Sequence, residues 1–146
     1  MKELRHEIEI QASAEAVWQV LTDLEKYGDW NPLLYQAVGK AEVGEPVEVK
    51  FRTASKGMTL HCRVVKAEPP RELCWTYHVI LPALFRGEHR FTIEPIDDGR
   101  VRFVDHEIFN GLLVPLQAKD IDANSKPAMV AMDQALKARV EALISG

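Results

Sequence analysis

The sequence predicts an α+β fold in which a seven-stranded antiparallel sheet packs against a long C-terminal helix. Most segments up to Asn110 alternate between apolar and polar residues, which is typical of strands with one buried face. The C-terminal segment instead repeats apolar residues at spacings of three and four, which is typical of an amphipathic helix. Short breaks join the strands, and short connections favour antiparallel pairing. A run of strands followed by a long helix places that helix on one face of the sheet.

The composition favours one domain, residues 1–146, that is long enough to bury a core. The chain carries 18 basic and 22 acidic residues, which give a formal net charge of −4. The two signs are interspersed and form no basic stripe, so nucleic acid is not expected as a partner. No apolar run approaches the ~20 residues of a membrane span, and we expect a cytoplasmic protein. A homodimer is an arrangement that the sequence leaves open.

The N-terminal part predicts one strand followed by two short helices. Glu3 to Gln11 alternates cleanly, and Ser13 is a suitable N-cap for a helix that ends near Leu24 to Lys26. Pro32 disfavours a helical conformation at the residue before it. The segment that begins at Tyr27 is therefore expected to be a turn or a short second helix.

The middle of the chain predicts four more strands. Their expected bounds are about Leu34 to Lys40, Pro46 to Thr53, Met58 to Ala67 and Leu73 to Val79. Glu68-Pro69-Pro70-Arg71 is a firm break between two of them. The connection from Leu81 to Phe85 is apolar, which is unusual for a solvent-exposed loop, and we expect it to form a lip over a cavity.

The strongest hairpin signal lies between Gly87 and Gly111, where two alternating runs flank Asp97-Asp98-Gly99. A three-residue loop of this kind needs a residue in the left-handed region at its third position, and glycine adopts that region readily. The pattern therefore predicts that Ile96 and Arg100 close the hairpin.

In that register His89 faces Glu107, and Phe91 faces Asp105. All four lie on the side of the sheet whose other residues are apolar and expected to be buried. Directly opposed side chains have Cβ atoms roughly 4.5–5.5 Å apart, so an imidazole and a carboxylate are expected to meet. If Asp105 and Glu107 are both buried, one of them is expected to stay protonated at neutral pH. A two-residue turn would shift the register and remove these pairings.

The C-terminal helix is predicted from an apolar stripe of Met129, Met132, Leu136, Val140 and Leu143, opposite Asp133, Lys137 and Glu141. Pro127 leaves two interpretations of the segment before it. Either Ser125 caps a new helix, or a longer helix from about Leu116 is kinked at the proline. The remaining histidines, His6, His61, His78 and His106, show no partner pattern and are expected to be ordinary strand residues.

This order of elements resembles the START-like superfamily, also called SRPBCC, whose fold is that of the major birch pollen allergen. The motifs that carry the resemblance are Ser13 to Trp18, Asp23, Tyr27, Trp30-Asn31-Pro32, Glu68 to Leu73, Trp75, Gly87 to Phe91, Glu107 to Leu113 and Leu136-Lys137. Together they are most similar to the polyketide cyclase/dehydrase-type branch. The resemblance implies a helix-grip fold, in which a curved sheet wraps around the C-terminal helix and an apolar cavity separates them. It leaves the function open, because such folds host carriers, receptors and enzymes.

The leading functional hypothesis is that the cavity binds a small hydrophobic ligand, whether aromatic, polyketide-like or lipid-like. His89, Asp105 and Glu107 would be the polar groups that fix its orientation, as such pockets usually have a few of them. Trp30 is expected to act as a gate, or as a plug that closes the short-helix end. The apolar wall is expected to comprise Trp75, Tyr77, Phe91, Phe103, Phe109, Met129, Met132 and Leu136.

Two other functions compete with binding. The first is a cyclase or dehydratase without a cofactor, in which His89 and Glu107 act as acid and base. The second is a protein-binding module like the chaperone activators of the superfamily, which would need a large exposed apolar patch. Neither a metal nor a nucleotide cofactor is expected, because the sequence has no HxH, HExxH or Gly-rich phosphate motif. Cys62 and Cys74 likewise lack a metal-ligand partner at close spacing.

Overall fold

The computed structural model describes residues 1–52 and 57–145. Within those ranges seven strands form one antiparallel sheet in the order β1-β7-β6-β5-β4-β3-β2. The curved sheet and the long C-terminal helix confirm the predicted α+β helix-grip fold. The predicted strand end at Thr53 lies outside the described residues. The strands are β1 (Lys2–Ile10), β2 (Leu34–Gly39), β3 (Pro46–Arg52), β4 (Gly57–Glu68), β5 (Glu72–His78), β6 (Arg86–Asp97) and β7 (Arg100–Asn110).

Two short helical segments follow β1, as the sequence predicts. Helix α1 spans Ala14–Thr22, and a 3₁₀ helix spans Leu24–Asp29. The Ser13 side chain accepts a hydrogen bond from the backbone N–H of Ala16 at 3.2 Å, so it caps α1 as predicted.

The C-terminal helix is 32 residues long and contains one irregular turn. It consists of α2 (Val114–Asp120), a π turn (Ile121–Ser125) and α3 (Lys126–Ser145). In the π turn the backbone N–H of Lys126 bonds to the carbonyl of Ile121, five residues earlier. Pro127 has no N–H, and its ring would meet the carbonyl four residues before it in a regular helix. Of the two interpretations of this segment, the longer helix with a distortion before Pro127 is therefore the one observed.

The β6–β7 hairpin has the predicted register but not the predicted turn. His89 pairs with Glu107, and Phe91 pairs with Asp105. Asp97 and Arg100, rather than Ile96 and Arg100, close the hairpin. Gly99 is not in the left-handed region, so the expected loop type was wrong. A register shift between Pro95 and Asp97 adds one residue to β6, and this bulge restores the pairing that a two-residue turn alone would have displaced.

The helix α3 packs on β1, α1 and β7, and its apolar stripe enters the core. Met132, Leu136 and Val140 are buried as predicted, whereas Leu143 is exposed at the end of the helix. A smaller cluster lies under α2 and contains Leu4, Phe109, Val114, Ile121 and Met129. Among the described residues, no helix has the length and apolar character needed to cross a membrane.

Candidate functional site

A cavity of about 730 Å³ lies between the middle strands of the sheet and the first half of the C-terminal helix. Aliphatic and aromatic side chains of β3, β4 and β5 form its floor. On the opposite side the helix presents mostly short or polar side chains, so it does not fill the space beneath it. The helical residues that line the cavity are Gln117, Asp120, Ile121, Asn124, Ser125 and Ala128.

The connection between β5 and β6 borders the cavity, as the predicted lip would. Ile80 and Phe85 line it. The carbonyl of Leu84 accepts a hydrogen bond from the N–H of Leu113 at 2.9 Å, which ties this loop to the start of α2. Ile80 is 73% exposed and has a φ of 65°, a conformation that is strained for a β-branched residue.

The polar end of the cavity is built by the alternation of β5, β6 and β7. Tyr77, His89 and Glu107 point to the same side, and the Tyr77 hydroxyl donates a hydrogen bond to Oε2 of Glu107 at 2.7 Å. Nδ1 of His89 lies 3.8 Å from the same oxygen. Nε2 of His89 lies 2.6 Å from Oδ1 of Asp105, which is completely buried behind it. The imidazole therefore bonds to its diagonal neighbour rather than to the residue directly opposite.

A glycine permits this placement of Tyr77. Gly87 pairs with Tyr77 across the β5–β6 ladder, and the phenol ring lies over it. A Cβ atom at Gly87 would stand 2.3 Å from Cζ and 2.4 Å from the hydroxyl oxygen of Tyr77. Any side chain there would displace the ring and its hydrogen bond to Glu107.

The pKa values at this end of the cavity follow from burial and from the neighbouring charges. Burial lowers the pKa of His89, but Asp105 and Glu107 more than offset that effect and raise it to about 9. His89 is therefore an imidazolium at neutral pH. Burial raises the pKa of Glu107, although His89 and the Tyr77 hydroxyl act in the opposite direction. The cavity thus offers a cationic donor beside a carboxyl group that ionises less readily than usual.

Five of the predicted site residues line the cavity, and their ligand-binding role stays a prediction. They are Trp75, Tyr77, His89, Glu107 and Phe109. His89 and Glu107, the predicted acid and base, are both among them.

Seven other predicted site residues lie elsewhere. Trp30 packs edge-on against Tyr27, with ring centroids 5.2 Å apart, and its role as a gate or a plug stays a prediction. Asp105 lies behind His89. The others pack in the core, because α3 is pressed against that part of the sheet and leaves no space there; they are Phe91, Phe103, Met129, Met132 and Leu136.

The sequence did not lead us to predict two ionisable residues of this site. Asp133 was expected on the polar side of the helix, but it is completely buried, and its Oδ2 lies 2.8 Å from Nδ1 of His6. Its position offered a signal, because Asp133 follows Met129 by four residues and precedes Leu136 by three, inside the apolar stripe. His6 likewise falls on the inward face of β1.

The described residues contain no group of three or more His, Cys, Asp or Glu side chains arranged to hold a metal ion. Cys62 and Cys74 are free and buried, and burial raises the pKa of each thiol to about 12. Such thiols are poor nucleophiles and poor metal ligands at neutral pH.

Comparison with known proteins gives matches in fold and family. Zhui aromatase/cyclase from a Streptomyces species has a TM-score of 0.79 and 21% identity, and the match covers 96% of this chain and 93% of the other. A START superfamily protein from Mycobacterium smegmatis has a TM-score of 0.75 and 17% identity over 97% and 98% of the two chains. Norcoclaurine synthase from Thalictrum flavum has a TM-score of 0.71 and 15% identity over 95% and 93%.

No curated protein matches the sequence. The family model described as polyketide cyclase / dehydrase and lipid transport matches residues 1–143, which is nearly the whole chain. This match confirms the START-like resemblance seen in the local motifs. The chain belongs to the polyketide cyclase/dehydrase and lipid transport family.

Proposed function

We propose that the protein binds a neutral hydrophobic small molecule that carries a hydroxyl or carbonyl group. The observation that carries this proposal is the polar edge formed by Tyr77, His89 and Glu107 beside the apolar floor of the cavity. A volume of about 730 Å³ falls within the usual range of ligand pockets, about 300–1,000 Å³. The apolar floor would hold the body of the ligand, and the polar edge would orient its oxygen.

The charges at the cavity favour a neutral ligand over a carboxylate such as a free fatty acid. His89 is the one basic residue in the described lining, and Asp105 already neutralises it. Glu107 and Asp120 also line the cavity. A ligand carboxylate would therefore approach two acidic side chains without a free cation, whereas a hydroxyl or carbonyl could bond to His89 Nδ1–H or to Glu107.

The comparisons support a small-molecule ligand. The family description names polyketide cyclases, dehydrases and lipid transport. The names of two structural relatives, an aromatase/cyclase and norcoclaurine synthase, describe enzymes of small-molecule synthesis. These relatives share too little sequence identity for their substrates to be assigned to this protein, so the ligand class is inferred from the cavity itself.

The test uses the fluorescence of Trp75, which lies in the cavity wall. The purified protein is titrated with a matched set of one skeleton, namely 2-naphthol, 2-acetylnaphthalene and 2-naphthoate. We expect saturable quenching by the two neutral compounds and at least tenfold weaker binding of the carboxylate. Native mass spectrometry of the purified protein would identify any ligand carried through purification.

Tyr77→Phe tests the polar edge, because it keeps the ring but removes the hydroxyl that bonds to Glu107, and we expect it to weaken the binding of naphthol. Fluorescence changes from the other tryptophans are separated by repeating the titration in Trp75→Phe. Equal binding of naphthoate and naphthol would contradict the charge argument. No binding of any of the three, together with no copurified molecule, would contradict the proposal.

A second candidate function is a cofactor-free cyclase or dehydratase in which Glu107 and His89 act as base and acid. It is favoured by the raised pKa of Glu107 and by the 14% exposure of its side chain towards the cavity. A carboxyl group with a raised pKa is a stronger base once ionised, and it can remove a proton beside a carbonyl group. Glu107→Gln is expected to abolish turnover of an aromatic polyketone while binding is retained, and unchanged turnover would exclude Glu107 from the chemistry.

A further inference from the structure

Four ionisable side chains form a continuous chain of contacts from the partly exposed His6 on β1 to the cavity. His6 on β1 contacts Asp133 on α3, with Nδ1 2.8 Å from Oδ2. Asp133 lies within hydrogen-bonding reach of Asp105 on β7. Asp105 in turn contacts His89 on β6, with Oδ1 2.6 Å from Nε2. Three strands and the C-terminal helix therefore meet in one polar array.

The central link of this chain needs a proton. Asp105 and Asp133 are both completely buried. Oδ2 of Asp105 and Oδ1 of Asp133 have no donor among the described side chains and backbone groups. Two carboxylates cannot hydrogen-bond to each other unless one of them carries a proton. Burial, the charge of Asp105 and the hydrogen bond to it raise the pKa of Asp133 far above its ordinary value, so Asp133 is the protonated partner.

The two ends of the chain differ in their access to water. The side chain of His6 is 23% exposed, whereas that of His89 is 5% exposed and faces only the cavity. Lys126, Asp105 and Glu7 are the charged groups that act on His6. Burial and Lys126 lower the pKa of His6, so it is neutral at pH 7.

The other ionisable neighbours flank the inner part of the chain. Glu107, which bonds to Tyr77, acts on His89 from β7. Lys126 also acts on Asp133. The buried Tyr27 lies within the electrostatic influence of Asp105, and its hydroxyl donates a hydrogen bond to the carbonyl of Leu21 at 2.5 Å.

We propose that His6, Asp133 and Asp105 form a proton pathway that exchanges protons between solvent and His89 at the cavity wall. A proton that adds to Nε2 of His6 allows the Nδ1 proton to pass to Asp133. The proton already on Asp133 passes to Asp105, which becomes neutral. His89, having lost its counter-ion, releases its Nδ1 proton to Glu107 or to a bound ligand.

Charge is conserved in this series of proton transfers. One proton enters at His6 and one leaves at His89, while His6 and Asp133 return to their starting charges. Asp105 loses its negative charge and His89 loses its positive charge. The same transfers in reverse order carry a proton from His89 to the solvent at His6. His89 could thereby exchange protons with the solvent at His6 by a route that does not pass through the cavity.

The test follows the imidazole nitrogens of the five histidines by long-range ¹H–¹⁵N spectroscopy across a pH titration of the ligand-free protein. We expect the His89 signals to show a second inflection at the midpoint of His6. That inflection is expected to be lost in Asp133→Asn and in His6→Gln. Asparagine can keep both hydrogen bonds of Asp133 but cannot exchange a proton.

The matched control is His106→Gln, because His106 is also on β7 and pairs with Glu3 outside the chain. It should retain the second inflection. A wild-type His89 with a single inflection would overturn the pathway. A second inflection that persists in Asp133→Asn would also overturn it, since coupling through space needs no proton transfer.

Infrared spectroscopy tests the shared proton directly. The carbonyl stretch of a protonated carboxyl group should be present at pH 7 and lost in Asp133→Asn, and a wild-type spectrum without it would overturn the proposal. Thermal unfolding confirms that each variant is folded, and the infrared band of the wild-type protein tests the proposal if Asp133→Asn is not. No ligand is involved, so failure of the pathway is distinguishable from failure of the proposed binding function.

Discussion

At the scale of single residues, the cavity end of the β6–β7 hairpin concentrates charge that the core would otherwise exclude. His89, Asp105 and Asp133 are each at most 4% exposed. Buried charges are tolerated when they are paired and hydrogen-bonded. Here one imidazolium, one carboxylate and one protonated carboxyl group give no net charge, which explains how three ionisable groups share one region of the core.

The raised pKa of His89 predicts how stability depends on pH. Because the folded state binds this proton more tightly than the unfolded chain, the stabilisation is complete below about pH 6.5 and is lost as the pH rises through about 9. The raised pKa of Asp133 acts in the same direction. We expect the free energy of unfolding to fall between pH 6.5 and 9, and His89 alone accounts for roughly 3 kcal/mol of that decline.

Urea unfolding at a series of pH values measures this dependence. His89→Gln removes the titrating group and should show a shallower decline over the same range. His78→Gln is the control, because His78 is exposed at the end of β5. A wild-type stability that stays constant or rises between pH 6.5 and 9 would contradict the charged state assigned to His89.

Gly87 provides the second prediction at this scale. Gly87→Ala places a methyl group 2.3 Å from Cζ of Tyr77, so the ring must move away from Glu107. We expect a loss of about 1–3 kcal/mol in unfolding free energy, as for other overpacked sites, and weaker binding of naphthol. Gly99→Ala is the control, because a Cβ atom there would meet no other atom within 4 Å. Equal stability of the two variants would show that Tyr77 does not depend on the glycine.

The residues of this site differ in how far the sequence could predict them. The pairing of His89 with Glu107 follows from alternation along two adjacent strands, which is local information. The contact of Asp133 with Asp105 joins a helix to a strand far away in sequence, and it depends on the rotation of α3 about its axis. The apolar stripe fixes that rotation only approximately, so Asp133 was placed on the solvent side.

At the scale of elements, the π turn separates two functions of the C-terminal helix. The segment after it, α3, packs into the core, and the segment before it stands over the cavity. A π turn is a single-residue insertion in an α-helix and often occurs at functional sites. Ile121, Asn124 and Ser125 within the turn line the cavity.

Pro127 is the physical reason for the π turn, and a double-mutant cycle tests this. Deleting Ala123 would restore a regular helix and press the Pro127 ring against the carbonyl four residues before it, at a cost of ~3 kcal/mol. In a Pro127→Ala background the same deletion should cost far less. Urea unfolding of the four proteins gives the coupling energy. An equal cost in both backgrounds would mean that the proline does not cause the distortion.

The hairpin turn shows a limit of prediction at the element scale. The register of β6 and β7 was predicted correctly, but from a loop that does not occur. A two-residue turn together with a bulge at Ile96 gives the same register as a three-residue loop. Both solutions keep the apolar residues on the buried face, and that face determines the register more strongly than the turn does.

At the scale of the whole molecule, the interior is divided between a packed half and an empty half. Phe91, Phe103, Met132 and Leu136 belong to the packed half, although alternation predicted them as cavity lining. Periodicity identifies the inward face of each element but not the distance between two facing elements. The position of the cavity depends on where the helix is separated from the sheet. No local sequence pattern determines that separation.

The empty half can be filled without disturbing the packed half. Ala128 lines the cavity from the first turn of α3. Ala128→Phe would place an aromatic ring in a space of about 730 Å³, so we expect unfolding free energy to change by less than about 1 kcal/mol. Binding of naphthol should weaken at least tenfold, which corresponds to about 1.4 kcal/mol, because the ring occupies the same volume. Isothermal titration calorimetry and urea unfolding measure the two effects.

Ala138→Phe, on the exposed side of α3, should change neither the stability nor the binding of naphthol. Unweakened binding in Ala128→Phe would show that the ligand occupies another part of the molecule.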